Sequence, residues 1–192
     1  MENDNKQYIE IYTEASPNPN SLKFVTNQML LPEGIADYAS VTEAENCPLA
    51  IDLFRFSFVK RVFITANFVT VTKAEDIEWI EVTPMLRELI RGYLEEGKPL
   101  FKKEIEINNA ISSDDPEIVQ KIKVLLDEYI RPAVEQDGGA ISFGSYEDGV
   151  VKVLLQGSCS GCPSSTVTLK SGIENLMKKM IPEVKEVVAE NL

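Results

Sequence analysis

The stretch AISFGSYEDGVVKVLLQ, residues 140–156, decides the fold of the second half of this 192-residue chain. Two apolar, β-branched runs flank Asp148-Gly149, and Asp-Gly between such runs is a strong signal for a tight hairpin. An amphipathic helical pattern precedes the hairpin, a second helix is expected to begin at Pro163, and Val184–Ala189 has the character of a strand. The sequence therefore predicts an α+β domain with the order α-β-β-α-β and a three-stranded sheet.

The helix before the hairpin is predicted from the spacing of its apolar side chains. One face of a helix with 3.6 residues per turn holds Ile118, Ile122, Leu125, Leu126 and Tyr129. Pro132 follows, and because proline has no backbone N–H it is expected to kink or end this helix.

The first half of the chain shows a mixture of strand and helix patterns. Strands are predicted at Tyr8–Thr13, at Leu22–Thr26 and within Val62–Thr72, where Ala66-Asn67 is the candidate hairpin tip. Helices are predicted at Pro48–Phe54 and from Thr83 to about Glu95, with Thr83 as the cap and Pro84 at the first helical position. The polar, turn-rich run 108–115 separates the halves, which predicts two small α+β domains at residues 1–107 and 116–192.

The composition excludes several classes of partner. The formal net charge is −12, whereas a general nucleic-acid binder or a protein that docks on anionic lipid needs a basic surface. No run approaches the roughly 18 consecutive apolar residues of a membrane span. The polar first residues show neither the apolar core of a signal peptide nor the Arg-rich character of a transit peptide. We therefore expect no nucleic-acid or membrane partner, and a cytoplasmic location.

The run GSCSGCP, residues 157–163, carries the candidate chemistry. It places Cys159 and Cys162 between a predicted strand end and a predicted helix start, where the helix dipole favours thiolate. The chain contains no histidine. The pair therefore either cycles as a disulfide or holds a thiophilic metal centre. A thiol–disulfide oxidoreductase is the weaker interpretation, because Ser158 replaces the usual aromatic residue and because a two-stranded hairpin precedes the motif in place of a β-α-β unit.

The metal interpretation requires more ligands than one chain supplies. A zinc site or an iron–sulfur cluster usually takes about four ligands, and this motif offers a pair of thiols. The only other cysteine, Cys47, lies in the first half and is expected to be a partly buried small residue without a chemical role. Two chains related by a two-fold axis could supply four thiolates together. A cluster held in this way is exposed and has few protein bonds per subunit, which suits a protein that releases its cargo.

Several segments of the second half closely resemble the C-terminal domain of the NifU family. They are Arg131-Pro132, Asp137-Gly138-Gly139, Gly157–Ser165, Thr168–Glu174 and Ile181–Val184. The first half resembles the N-terminal domain of Nfu-type proteins in a series of short segments. They are Pro17-Asn18-Pro19-Asn20, Lys23-Phe24, Pro48-Leu49-Ala50, Leu53-Phe54, Val62-Phe63-Ile64, Phe68–Lys73 and Trp79. The cysteines of the assembly and 2Fe–2S domains of full NifU proteins are absent, so the chain resembles the shorter Nfu carriers.

The resemblance implies a function for the cysteine pair. It implies a labile 4Fe–4S cluster that bridges two subunits through Cys159 and Cys162, in a homodimer formed when the cluster is bound. It also implies a carrier or scaffold, not an enzyme, whose partners are apo iron–sulfur proteins and the cluster-assembly machinery. The first domain is then expected to recognise partners. The alternatives are a thiol–disulfide oxidoreductase and a structural four-thiolate zinc site in a dimer.

Overall fold

The structure is a computed structural model that describes residues 8–103, 115–158 and 163–191, without the side chains of residues 163–168 and 191. The chain divides into two compact units. The N-terminal unit comprises Met1–Ala15 and Pro19–Glu106, and the C-terminal unit comprises Ser16–Asn18 and Ile107–Leu192. Each unit combines helices with a sheet, so the predicted α+β class is confirmed.

The N-terminal unit is built on a five-stranded antiparallel sheet with the strand order β1-β2-β5-β4-β3. Its strands are β1 (Ile11–Ala15), β2 (Ser21–Thr26), β3 (Leu31–Tyr38), β4 (Val59–Ala66) and β5 (Phe68–Lys73). Its helices are a 3-10 turn (Glu43–Asn46), α1 (Pro48–Phe54) and α2 (Trp79–Glu95). The hairpin tip predicted at Ala66-Asn67 is confirmed, since Thr65 pairs with Phe68 around it.

The core of the N-terminal unit lies between the helices and one face of the sheet. Leu49 and Leu53 of α1 and Leu86 and Ile90 of α2 are completely buried together with Phe24 of β2. The predicted helix Pro48–Phe54 is confirmed residue for residue. Its apolar face explains why so short a helix persists, because helices of this length are stabilised chiefly by tertiary packing.

Two features of this unit differ from the prediction. Helix α2 begins at Trp79, so Pro84 lies inside it and not at its first position. The Thr83 hydroxyl donates a hydrogen bond to the Trp79 carbonyl at 2.6 Å, so Thr83 binds the backbone of the preceding turn and does not cap the helix.

Strand β3 was not predicted at all, because Pro32 and Gly34 interrupt its pattern. Both residues are tolerated because β3 is an edge strand with an irregular register.

The C-terminal unit has the predicted order α-β-β-α-β and a three-stranded sheet, so this prediction is confirmed. Its elements are α3 (Glu117–Leu125), a π-helical turn (Leu126–Ile130), α4 (Arg131–Gln136), β6 (Gly139–Glu147), β7 (Val150–Gly157), α5 (Pro163–Met180) and β8 (Glu186–Asn191). The sheet order is β6-β7-β8, with β6 antiparallel and β8 parallel to β7. At the hairpin tip Asp148 and Gly149 have φ angles of +51° and +90°, as the predicted tight turn requires.

The π-helical turn changes which side chains of the first helical segment face the core. The Arg131 N–H donates to the Leu126 carbonyl, five residues earlier, and α4 then begins with Pro132 in its first turn. The extra residue rotates the following side chains by roughly 100°. Tyr129 is therefore 57% exposed, and Ile130 occupies the core at 5% exposure. The prediction that Tyr129 shares the apolar face is wrong. The helix does not end at Pro132 either, because helical structure continues as α4 to Gln136.

The core of the C-terminal unit is a separate apolar cluster. Ile122 and Leu126 from the first helical segment pack with Ile141, Leu155 and Met177 from the sheet and α5. These side chains are essentially inaccessible to water. Among the described helices, none is both long enough and apolar enough to cross a membrane.

Candidate functional site

The two cysteines singled out from the sequence, Cys159 and Cys162, lie outside the described residues. The structure describes both ends of their loop. Strand β7 ends at Gly157, Ser158 follows in a turn, and α5 begins at Pro163. The connection between a buried strand end and a helix start is therefore short, as the sequence predicted.

Ser158 fixes the backbone on the N-terminal side of the loop. It is 2% exposed, and its hydroxyl donates a hydrogen bond to the Asp137 carbonyl at 2.6 Å. Its N–H donates to the Gly138 carbonyl at 3.3 Å. The preceding Gly157 has φ +69°, a left-handed conformation that favours glycine. The residue before Cys159 is thus held against the turn that precedes β6.

That turn is itself tied to the end of α4. The Asp137 N–H donates to the Ala133 carbonyl at 3.2 Å, and the Gly138 N–H donates to the Glu135 carbonyl at 3.0 Å. Gly138 has φ +81°, which a residue with a side chain rarely adopts. Asp137 and Gly138 form the turn, and β6 begins directly after it at Gly139. The link of this turn to Ser158 was missed, because hydrogen bonds between distant backbone segments leave no pattern in the sequence.

The C-terminal side of the loop meets the start of a long helix. The first turn of α5 contains no acidic residue, whereas its last turn carries Lys178 and Lys179. The partial positive charge at the start of α5 is therefore not neutralised by a carboxylate of that turn. A helix start of this kind lowers the pKa of a neighbouring cysteine and favours the thiolate that binds metals.

Cys47 is in a very different environment. It lies at the N-terminal end of α1 and is completely buried. Burial raises the pKa of the Cys47 thiol to about 11, an effect that the neighbouring Ala50 N–H and Tyr38 hydroxyl reduce only in part. The sequence predicted partial burial, and the structure shows it to be complete. The described residues contain no group of three or more His, Cys, Asp or Glu side chains placed to hold a metal ion.

The buried thiol predicts a pH-dependent difference in stability between the wild type and Cys47→Ser. Because burial raises the thiol pKa from 9.0 to about 11, folding favours the neutral form. This contribution is fully present below the unfolded pKa and is lost as the pH rises through the folded pKa. Serine does not titrate in this range. The unfolding free energy of the wild type should therefore fall relative to that of Cys47→Ser as the pH rises from about 9 to 11. Urea titrations at several pH values measure it, and a constant difference would contradict the prediction.

Family comparisons assign both halves of the chain. Residues 11–97 match the family described as "Scaffold protein Nfu/NifU N terminal". Residues 122–188 match the family described as "NifU-like domain", and this range includes Cys159 and Cys162. The resemblance inferred from the sequence is therefore confirmed.

Curated relatives are similar along nearly the whole chain. A human protein named "NFU1 iron-sulfur cluster scaffold homolog, mitochondrial" is 43% identical over 94% of this chain and 72% of its own length. "NifU-like protein 4, mitochondrial" from Arabidopsis thaliana is 43% identical over 94% of this chain and 65% of its own. A Drosophila persimilis protein with the same name as the human one is 45% identical over 95% of this chain. The chain spans 65% of that relative's length.

A solved structure gives a partial match. The solution structure of a NifU-like protein from Saccharomyces cerevisiae covers 52% of this chain and 90% of its own, with 23% sequence identity. The TM-score of this match is 0.44.

The prediction of a cytoplasmic location is wrong. All three relatives are named as mitochondrial proteins. Net charge and the absence of an apolar span bear on solubility and on partners. They do not identify a compartment, because compartments are specified by address segments that receptors read.

The two family matches lie in the order expected from the sequence and account for most of the chain. The human relative is similar well beyond the level of chance resemblance over more than two thirds of its own length. The chain therefore belongs to the Nfu/NifU family, with an Nfu N-terminal region followed by a NifU-like domain.

Proposed function

We propose that this chain is an iron–sulfur cluster carrier that binds its cargo through Cys159 and Cys162. The observation that carries the proposal is the NifU-like match over residues 122–188, which contains both cysteines. Relatives with names that include "iron-sulfur cluster scaffold" support the same role. In this role the chain binds and transfers a cluster, and no substrate is chemically turned over.

The ligand count supports a site shared between two subunits. The chain has three cysteines and no histidine, and Cys47 is completely buried with a raised pKa. Cys159 and Cys162 thus remain as one pair of thiols per chain. A 4Fe–4S cluster takes about four thiolates. We propose that two chains around a two-fold axis supply them, so that the cluster-bound form is a homodimer.

Transfer would proceed by ligand exchange. The thiolates of an acceptor apoprotein replace Cys159 and Cys162 one at a time, and each acceptor thiol gives its proton to solvent or to the departing thiolate. No electron is gained or lost in this sequence. The start of α5 supports it, because a helix dipole that favours thiolate keeps the sulfurs ready to bind at neutral pH.

The organisation of the whole protein follows from the same proposal. We propose domains at residues 1–107 and 116–192 with a linker at 108–115, boundaries that stay a prediction. The second domain would hold the cluster, and the first would recognise acceptor proteins or the assembly machinery. The mitochondrial relatives make that organelle the compartment to examine first.

Anaerobic reconstitution with iron and sulfide tests the proposal. The wild type should become brown, bind about four irons per dimer and change from monomer to dimer on sizing chromatography. Cys159→Ser and Cys162→Ser should each lose all three properties, because a serine hydroxyl stays protonated and binds iron poorly. Cys47→Ser is the matched control and should behave as the wild type. Two outcomes contradict the proposal: a colourless protein that reduces insulin disulfides, or a protein that binds one zinc per dimer but no cluster.

A further inference from the structure

A surface groove in the C-terminal unit is not explained by the cysteine loop. The groove has a volume of about 460 Å³ and lies between the first helical segment and the C-terminal end of α5. We call it the α3–α5 groove. Its apolar lining includes Val124 of α3, Tyr129 of the π-helical turn and Met180 at the end of α5.

These three apolar side chains are exposed to solvent. Tyr129 is 57% exposed, Met180 53% and Val124 39%. Single exposed apolar residues are ordinary, but a cluster of them in one concave surface marks an interaction site. The described residues Glu117 and Glu128 line the same groove, which gives it the apolar centre and polar rim of a protein interface.

The π-helical turn is what brings Tyr129 into the groove. In a continuous α-helix this side chain would lie on the face that carries Ile122 and Leu126, against the sheet. The hydrogen bond from the Arg131 N–H to the Leu126 carbonyl shifts the register and turns Tyr129 outward. Single π turns within helices occur frequently at functional sites. The groove therefore depends on the same backbone feature that buries Ile130 in the core.

The charges around the groove define the partner. Among the described residues of the lining Lys121 is the one basic side chain, and its Nζ is paired with the Glu117 carboxylate at 2.7 Å. Glu183 also lies close enough to raise the Lys121 pKa, after the larger effect of Glu117. Glu128 adds a further carboxylate to the rim. Two lysines, Lys178 and Lys179, also stand beside Met180 in the last turn of α5, and Lys178 is paired with Glu174. The described lining itself holds two carboxylates and one lysine, so its net charge is negative and it complements a partner with apolar anchors beside lysine or arginine.

The two ends of the groove lie at different distances from Pro163, where α5 begins. Helix α5 ends at Met180, and at 1.5 Å per residue it is about 26 Å long, which separates the Met180 end of the groove from Pro163. Tyr129 lies nearer, about 12 Å along the helical segment from Asp137, whose carbonyl accepts the hydrogen bond of the Ser158 hydroxyl. None of the described lining residues belongs to the cysteine loop.

We propose that the α3–α5 groove is a docking site for a short amphipathic helix of a partner protein, with apolar anchors on one face and basic residues beside them. The groove between helices suits this mode of recognition, in which side chains spaced at i, i+3, i+4 and i+7 enter an apolar channel. The site is independent of the cluster, so it is present in the protein without cargo.

The test uses the full chain without cluster and a fluorescent peptide of about 18 residues, built from Leu, Ala and Lys with leucines on one helical face. Fluorescence anisotropy should show saturable binding. A peptide of identical composition in scrambled order, and one with Glu in place of Lys, should each bind at least about tenfold more weakly. Tyr129→Ala and Met180→Glu should each weaken binding by about tenfold or more. Met85→Glu, an exposed methionine of the N-terminal unit, is the matched control and should bind as the wild type.

Three results would overturn the proposal. The first is equal binding of the ordered and scrambled peptides, which would reduce the effect to general attraction by an acidic protein. The second is unchanged binding by both groove variants. The third is self-association of the cluster-free chain that Tyr129→Ala abolishes, because the occupant would then be a second copy. Cys159→Ser should bind the peptide normally, so loss of cluster binding and loss of docking are distinguishable.

Discussion

We expect no cluster within a covalently linked pair of chains in which only one copy keeps Cys159 and Cys162. Each copy contributes two thiolates in the proposed site, and a 4Fe–4S cluster needs about four. Replacing both cysteines in one copy removes half of the ligands, and no histidine elsewhere in the chain can compensate. Serine is a poor substitute, because its hydroxyl does not ionise near neutral pH. The expected effect is therefore complete loss of iron from a single mixed pair, not retention of half of it.

Three tandem fusions joined by a flexible Gly/Ser linker make the measurement. The fusion with two intact copies should bind about four irons, and the fusion with four serines none. The mixed fusion has one intact copy and one copy with both cysteines replaced by serine. It should bind iron only when the intact copies of two fusion molecules associate, so the iron-containing species should elute at twice the mass of the fusion. A fusion with Cys47→Ser in one copy controls for the loss of a thiol as such. Iron at half the wild-type level in a mixed fusion of its own mass would contradict the shared site.

The parts of the fold that were predicted correctly depend on short-range chemistry. Asp148-Gly149 specifies its hairpin because both residues must adopt positive φ, and the structure has them at +51° and +90°. Pro48 begins α1 because proline suits the first turn of a helix, where its missing N–H costs nothing. In such cases a few adjacent residues determine the local backbone, and the tertiary structure agrees with them.

The parts that were missed depend on tertiary context. Thr83-Pro84 satisfies the pattern of a helix start, yet packing of the preceding turn extends α2 back to Trp79. Pro32 and Gly34 argue against a strand, yet pairing with β4 includes them in β3. Burial of Ile130 in place of Tyr129 follows from a register shift of one residue. Local patterns cannot predict such outcomes, because the free energy that decides them comes from residues distant in sequence.

The sequence predicted the ligand chemistry of the candidate site, but not the hydrogen bonds that hold the backbone beside it. The spacing of Cys159 and Cys162 and the absence of histidine point to sulfur ligands from the sequence alone. The anchoring of Ser158 to the Asp137 and Gly138 carbonyls could not be foreseen, because it joins segments about 20 residues apart. Burial of Cys47 was foreseen in direction, since its run Cys-Pro-Leu-Ala opens an apolar helix.

The π-helical turn gives the sharpest test of the fold, because it exchanges the roles of two adjacent residues. Periodicity of a continuous α-helix would bury Tyr129 and leave Ile130 toward the edge, whereas the structure leaves Ile130 only 5% exposed and turns Tyr129 to solvent. Truncating a buried isoleucine to alanine costs about 2–5 kcal/mol through lost burial and a residual cavity. An exposed side chain that touches little usually changes stability by less than about 0.5 kcal/mol.

Ile130→Ala is therefore expected to lower the unfolding free energy by about 2–5 kcal/mol, and Tyr129→Ala by less than about 0.5 kcal/mol. At about 0.05–0.15 kcal/mol per residue, a unit of about 75 residues has only about 4–11 kcal/mol in total, so the first change could remove half of it. Urea unfolding followed by circular dichroism measures both, and Val134→Ala, also buried, should destabilise in the same direction but by less, because it removes one carbon fewer. A larger loss for Tyr129→Ala than for Ile130→Ala would show that the helix is continuous and that the register shift is absent in solution.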